Sequence, residues 1–137
     1  EGGTLVVQYN TADRTLHRDL APFPLEIGRD RVTVEEASVD FADPASPLLT
    51  TPNRITARDF EGWVQERGLY FATTWGPEYR TVLSSADPGE KPAAGGLLWA
   101  RHGKGIFIYT GYAFFRQLPA GVPGAYRLFI NLVSARG

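Results

Sequence analysis

The stretch that leaves this chain least conformational freedom is Gly96-Leu-Leu-Trp-Ala-Arg101, His102-Gly-Lys-Gly105 and Ile106-Phe-Ile-Tyr-Thr110. Two apolar runs are joined by a short link that contains two glycines. That pattern specifies an antiparallel hairpin, with Gly available where the turn needs a positive φ. The same link, Gly103-Lys-Gly105, has the composition of a phosphate cradle, but a cradle joins a strand to a helix, whereas this link joins two strands.

Other elements follow from period and punctuation. Thr4-Leu-Val-Val-Gln-Tyr9 reads as a strand buried on both faces of a parallel sheet. Asn10 to Pro24 has no period and is closed by Pro22 and Pro24. Arg31–Val34 and Ser38–Phe41 alternate as half-exposed strands do, and Asp43 to Asn53 is a proline-punctuated loop. The spacing predicts a helix over Thr56–Gly68: Thr56 caps with Asp59, one face carries Phe60, Trp63, Val64 and Arg67, and Gly68 supplies a left-handed stop. Gly62 inside this helix implies a close backbone contact. Leu69–Thr73 and Arg80–Ser85 read as strands around the Trp75–Tyr79 turn, and Asp87–Pro92 as a surface turn. Ala113–Leu118 forms a short helix ended by Pro119. Pro123 opens the last helix, with Tyr126, Phe129, Ile130 and Val133 as its apolar stripe. The order is mixed α/β without internal repeats, and 137 residues amount to one domain, 1–137.

Composition narrows the chemistry. There is no cysteine, which removes disulfides, thiolate metal sites and thiol nucleophiles together. Lys and Arg number 14 against 15 Asp and Glu, for a net charge of −1 with the signs interspersed. That is no footprint for nucleic acid or an anionic membrane. The apolar stretches fall far short of the roughly 20 residues of a membrane span. The chain has no methionine and opens on Glu1-Gly2-Gly3, so it reads as a piece of a longer protein. The compartment therefore stays open, since an upstream export signal would send it to the periplasm or outside the cell.

The two histidines, His17 and His102, stand in no metal-binding spacing. Ser84-Ser85 lacks a nucleophile elbow. Glu35-Glu36 would point to opposite faces of a strand. Asp59, Glu61 and Glu66, with Arg58 and Arg67 beside them, form a salt-bridged solvated face; a hydrolase using Asp59 or Glu66 is the competing reading. Aromatic rings are too many for all to be buried, and Tyr or Trp rings with polar tips suit sugar faces and protein interfaces. Residues combining stacking rings with forked donors give a candidate ligand-binding surface of Trp63, Glu66, Arg67, Trp75, Arg116 and Gln117. Core packing accounts equally well for Trp63 and Arg67. No catalytic and no metal-ligating residue is assigned.

Three long stretches carry a family resemblance: Pro24 to Thr33 (PLEIGRDRVT), Thr51 to Phe71 (TPNRITARDFEGWVQERGLYF) and Phe114 to Phe129 (FFRQLPAGVPGAYRLF). Together they resemble the C-terminal region of large PIG-L (LmbE-like) deacetylases, over nearly the whole chain. The resemblance implies a flavodoxin-like α/β sheet of the class I glutamine amidotransferase and ThuA-like kind, with a β-rich insertion, and implies that this is the C-terminal part of such a domain. It also implies a parent enzyme whose separate zinc-dependent domain removes N-acetyl groups from amino sugars. The AHPDDE-type metal motif of that domain has no counterpart in this chain, so zinc is expected only in the deacetylase domain. An amidotransferase-like site would carry a cysteine after Thr4–Tyr9 and a histidine after Ile106–Thr110. The chain has Gln8, Tyr9 and Asn10 at the first place and Gly111, Tyr112 and Ala113 at the second. The expectation is thus a non-catalytic accessory domain that assists carbohydrate binding, partnered by the rest of its own chain. The alternative is an interaction or oligomerisation module without a small-molecule ligand, in which self-association covers an open sheet edge.

Overall fold

The structure is a computed structural model that describes residues 2–10 and 21–137. His17 and most of the aperiodic stretch after Asn10 lie outside the described residues. Along the chain run β1 (Thr4–Gln8), β2 (Leu25–Val32), β3 (Ser38–Phe41), α1 (Pro47–Thr50), a 3-10 turn (Ala57–Phe60), β4 (Gly68–Trp75), β5 (Arg80–Thr81), β6 (Leu83–Ala86), β7 (Leu97–His102), β8 (Gly105–Thr110), α2 (Phe114–Gln117) and α3 (Pro123–Ser134). The architecture is mixed α/β. A four-stranded sheet has the order β1-β8-β7-β5, and two two-stranded sheets pair β2 with β4 and β3 with β6.

The hairpin forms where the sequence demands it: β7 and β8 pair antiparallel from Leu97↔Thr110 to His102↔Gly105, and Gly103 takes φ +59° in the turn. β1 runs parallel to β8, in register from Thr4↔Ile106 to Gln8↔Thr110. Side chains of β7 and β8 alternate between two apolar clusters. Leu97, Trp99, Ile106 and Ile108 join Leu128 and Leu132 of α3 together with Phe60, Trp63, Phe71 and Tyr112. Leu98, Ala100, Phe107 and Tyr109 join Ile27, Ala72 and Tyr79 on the opposite face. Both faces are covered, which is why these two strands read as unbroken apolar runs. β1 departs from the double burial expected of it: among the described residues it is an edge strand, and Leu5 stands 50% exposed.

The helix expected over Thr56–Gly68 is absent. Asp59 Oδ2 does accept from the Thr56 N–H at 2.8 Å, but only the single 3-10 turn follows. Beyond it, tertiary partners take the backbone groups that a helix would pair internally. The Gln117 amide accepts from the Val64 N–H at 2.7 Å and donates to the Val64 carbonyl at 3.0 Å. Glu35 accepts from the Gln65 N–H at 2.6 Å, and the Arg67 N–H donates to the Val32 carbonyl at 2.9 Å. Gly62 serves a positive φ of 76° rather than a close contact, since a Cβ there would meet nothing within 4 Å. Gly68 is not a left-handed stop. It opens β4, pressed so close to the Gly111 carbonyl that a Cβ would fall 2.3 Å from its oxygen.

The last helix begins at Pro123 as expected, yet its buried face is Ala125, Leu128 and Leu132, with Gly124 and Asn131. Tyr126, Ile130 and Val133 face outward and Phe129 is half-buried. Both stripes have helical spacing, and small size and hydrogen bonding choose between them. A Cβ on Gly124 would lie 1.8 Å from the Asp59 carbonyl oxygen, so only glycine lets α3 approach the 3-10 turn this closely. Buried Asn131 donates to the carbonyls of Leu48 at 2.9 Å and Asn53 at 2.7 Å and accepts from the Asn53 N–H at 2.9 Å. These bonds fix that face inward.

Candidate functional site

Parallel strands β1 and β8 end side by side at Gln8 and Thr110, and the chain leaving each end meets the irregular segment around residue 65. Tyr9, directly after β1, donates its N–H to the Thr110 carbonyl at 2.7 Å and its hydroxyl to Glu66 Oε1 at 2.6 Å. Arg116 of α2 donates from Nε to the same Glu66 oxygen at 3.3 Å and from Nη1 to Gln65 Oε1. Two further rings bound the corner: Tyr70 stands edge-on to Tyr9 at 5.2 Å between centroids, and Phe115 at 4.5 Å. Arg116 lies over the Phe115 ring at 4.9 Å.

Backbone conformation sets this corner apart. Tyr9, Gln65 and Tyr70 are the non-glycine residues with positive φ among the described residues, at 45°, 66° and 59°. All three meet through the Tyr9–Tyr70 ring contact and the Arg116 bridge. Such conformations cost of order 1–3 kcal/mol each, persist only where surrounding packing over-determines them, and cluster at binding and switching sites. Here the over-determination is visible: Gln117 grips residues 64 and 66, and the Tyr109 hydroxyl donates to the Tyr70 carbonyl at 2.5 Å.

The electrostatics favour a neutral phenol beside a charged pair. Burial, and after it the hydrogen bond to the Glu66 carboxylate and that group's charge, push the Tyr9 hydroxyl up to about 12, with Arg116 acting the other way. Glu66 is 15% and Arg116 36% exposed, so both retain contact with solvent at the mouth of the corner.

Of the residues singled out in the sequence, Glu66 and Arg116 come together in this corner. Gln117, fully buried, lies beneath it and holds the 64–66 backbone. Arg67 is 5% exposed. It donates to the Ala37 carbonyl from Nε at 3.1 Å and Nη2 at 2.9 Å, and to the Phe60 carbonyl. Burial lowers its pKa. Trp63 is 2% exposed, with its indole N–H given to the Asp59 carbonyl at 2.8 Å. Trp75 closes β4 opposite Leu25 and packs against the second cluster. Asp59 is 8% exposed and bound by Arg127 Nε at 2.8 Å. Sequence reasoning missed the strained trio and the central place of Tyr9. The available signal was a tyrosine directly after an apolar strand, where the chain must turn.

Among the described residues no group of three or more His, Asp or Glu side chains is placed to hold a metal ion, and no helix is long and apolar enough to cross a membrane. Comparison with known proteins gives no matching family model, no matching curated protein and no matching solved structure.

Proposed function

We propose that the chain is a non-catalytic accessory domain of a PIG-L-type amino-sugar deacetylase, built on a flavodoxin-like, amidotransferase-related sheet, and that the Tyr9–Glu66–Arg116 corner contacts carbohydrate. The observation that carries this reading is the position and make-up of the corner. In open α/β sheets, ligands bind beyond the carboxyl ends of parallel strands, and this corner lies beyond the carboxyl ends of β1 and β8. It offers a carboxylate and a guanidinium to sugar hydroxyls and three rings to sugar faces. Its strained backbone is a further mark of a binding site. A nucleophilic cysteine is excluded by composition. Zinc belongs, on this reading, to the separate deacetylase domain of the parent enzyme, and no step is assigned to it in this chain.

Titration of the chain with N-acetylglucosamine and its short oligomers, followed by calorimetry or by NMR of the tyrosine rings, tests the reading. Saturable millimolar binding that weakens about tenfold in Glu66→Gln and in Arg116→Ala is expected. Unchanged spectra with every amino sugar sink it.

A second reading, self-association, is favoured by a different observation. α3 turns Tyr126, Ile130 and Val133 outward at 44%, 44% and 52% exposure. The edge of β1, without a neighbouring strand among the described residues and abutted by this helix through the hydrogen bond from the Thr4 hydroxyl to the Ala135 carbonyl, holds no charged or proline residue to repel another strand. A second copy paired antiparallel about Val6 would set Leu5 against Val7 and bring the two helices together. Sedimentation at rising concentration distinguishes the readings: a dimer dispersed by Ile130→Asp supports this one, and a monomer throughout removes it.

A further inference from the structure

β3 has a neighbour on one side. It pairs with β6 from Ser38↔Ala86 to Phe41↔Leu83, and no strand lies along its other edge among the described residues. The pleat fixes what that edge presents. Ser85 of β6 exchanges both of its backbone hydrogen bonds with Ala93, at 3.1 Å and 2.8 Å, so its N–H and carbonyl point away from β3. Val39 stands opposite Ser85 and therefore occupies a non-hydrogen-bonded position of the pair, as does Phe41 two residues on. The N–H and carbonyl of both residues face outward. Among the described residues no backbone hydrogen bond outside the β3–β6 pair takes up any of these four groups.

Beside this edge runs a groove of about 390 Å³ whose lining includes Val39, Asp40, Phe41, Leu49, Arg54 and Ile55. Leu49 and Ile55 belong to the apolar cluster of Trp63 and Leu128, and Val39 and Phe41 pack against it. Asp40 alternates to the other face of β3 and is exposed, as is Arg54. Neither belongs to an ion pair among the described residues, whose pairs are Arg116–Glu66 and Arg127–Asp59.

We propose that this edge binds an extended segment of a partner protein, added to β3 as a further antiparallel strand, with the pattern apolar–basic–apolar. The backbone of the segment pairs with the outward groups of Val39 and Phe41. Its two apolar residues, opposite Phe41 and Val39, share the face of those side chains and extend the apolar cluster over Leu49 and Ile55. Its central residue meets Asp40 in a close, non-hydrogen-bonded pair, where Lys or Arg is favoured and an acid is repelled. Acidic flanks answer Arg54. The same rule disfavours a second copy of this chain as the occupant: two β3 strands that pair through all four outward groups of each copy set Asp40 against Asp40.

The probe is the peptide acetyl-Glu-Val-Lys-Val-Glu-amide, titrated into the ¹⁵N-labelled chain. The amide resonances of Val39 and Phe41 are expected to move saturably and to gain protection from hydrogen exchange. Replacing the central lysine of the peptide by glutamate should weaken binding about fivefold. Asp40→Lys, at an exposed position, should reverse the preference between the two peptides. N-methylation of both valines removes the donors to Phe41 and Val39 and should abolish the response. N-methylation of the central lysine, whose N–H points away from β3, should preserve it. No response, equal binding of the two peptides, or an unchanged response to the valine-methylated peptide overturns the assignment. Shifts of Val39 and Phe41 that grow with chain concentration in the absence of peptide give the edge to a second copy and overturn it as well.

Discussion

Tyr9 concentrates much of what single residues do in this protein. Its hydroxyl is pushed to about 12 by burial first and by Glu66 second, so replacing Glu66 by Gln should bring its ionisation down toward 10 without erasing the burial contribution. Ultraviolet absorbance of the phenolate, compared between the chain and E66Q, measures the change. The folded state holds this proton more tightly than the unfolded chain does. Tyr9 therefore contributes stability that is complete below about pH 10 and is lost as pH rises toward 12.

Asp87 has the opposite sign. Burial alone would raise its carboxyl, but hydrogen bonds from the N–H groups of Thr33 and Val34 and from the Thr33 hydroxyl, with Arg31 nearby, outweigh it and hold the carboxyl below its usual range. Its contribution is present above the ordinary aspartate pKa and is lost as pH falls through the depressed value. In urea unfolding between pH 7 and pH 3, Asp87→Asn should be the less stable protein at neutral pH and should converge on the parent in acid.

At the scale of elements, two glycines that look alike in sequence should respond differently. Gly124→Ala drives a methyl into the Asp59 carbonyl and should cost about 1–3 kcal/mol by forcing α3 away from the 3-10 turn. Gly62→Ala meets open space but must hold φ at +76°, at a cost of about 1–2 kcal/mol. Denaturant midpoints of the two variants check both values. Gln117→Leu frees the 64–66 backbone from its clamp and leaves buried groups unpaired. A loss of about 2 kcal/mol is expected, accompanied by a fall in the Tyr9 pKa because Glu66 is no longer positioned.

The same elements mark what the sequence could and could not disclose. The β7–β8 hairpin, β3 and the start of α3 were legible because their determinants are local: a Gly-bearing turn, alternation, a proline at the first helical position. Thr56–Gly68 was not legible, since its helical period is real but Gln117, Glu35 and Val32 supply its backbone partners from distant parts of the chain. Most of β2 escaped for a related reason: its pairing with β4 shifts register repeatedly, so no clean alternation is printed in the sequence. In the candidate corner, Glu66 and Arg116 could be picked out by residue type. The strained trio could not, because nothing in a tyrosine or a glutamine announces a left-handed backbone.

At the scale of the whole molecule, β7 and β8 belong to both apolar clusters, so neither cluster can dissolve while the other stays intact. The expected outcome is a single cooperative transition. Trp63 and Trp99 sit in one cluster and Trp75 against the other, so fluorescence of Trp75→Phe would report the first cluster and that of the double variant Trp63→Phe, Trp99→Phe the second. Coincident midpoints are expected, and separated ones would show that the two faces melt independently.

The pairing of β1 with β8 has a consequence for synthesis. Thr4 and Ile106 are partners with about a hundred residues between them, so β1 waits for a partner made long after it. At roughly 5–20 residues per second on the ribosome, β1 spends on the order of 5–20 s as a nascent, uncharged Thr-Leu-Val-Val-Gln segment with no sheet to join. Within this chain, that is the interval in which a holding chaperone would matter most. It is also the interval in which two growing copies on one messenger could exchange their β1 strands.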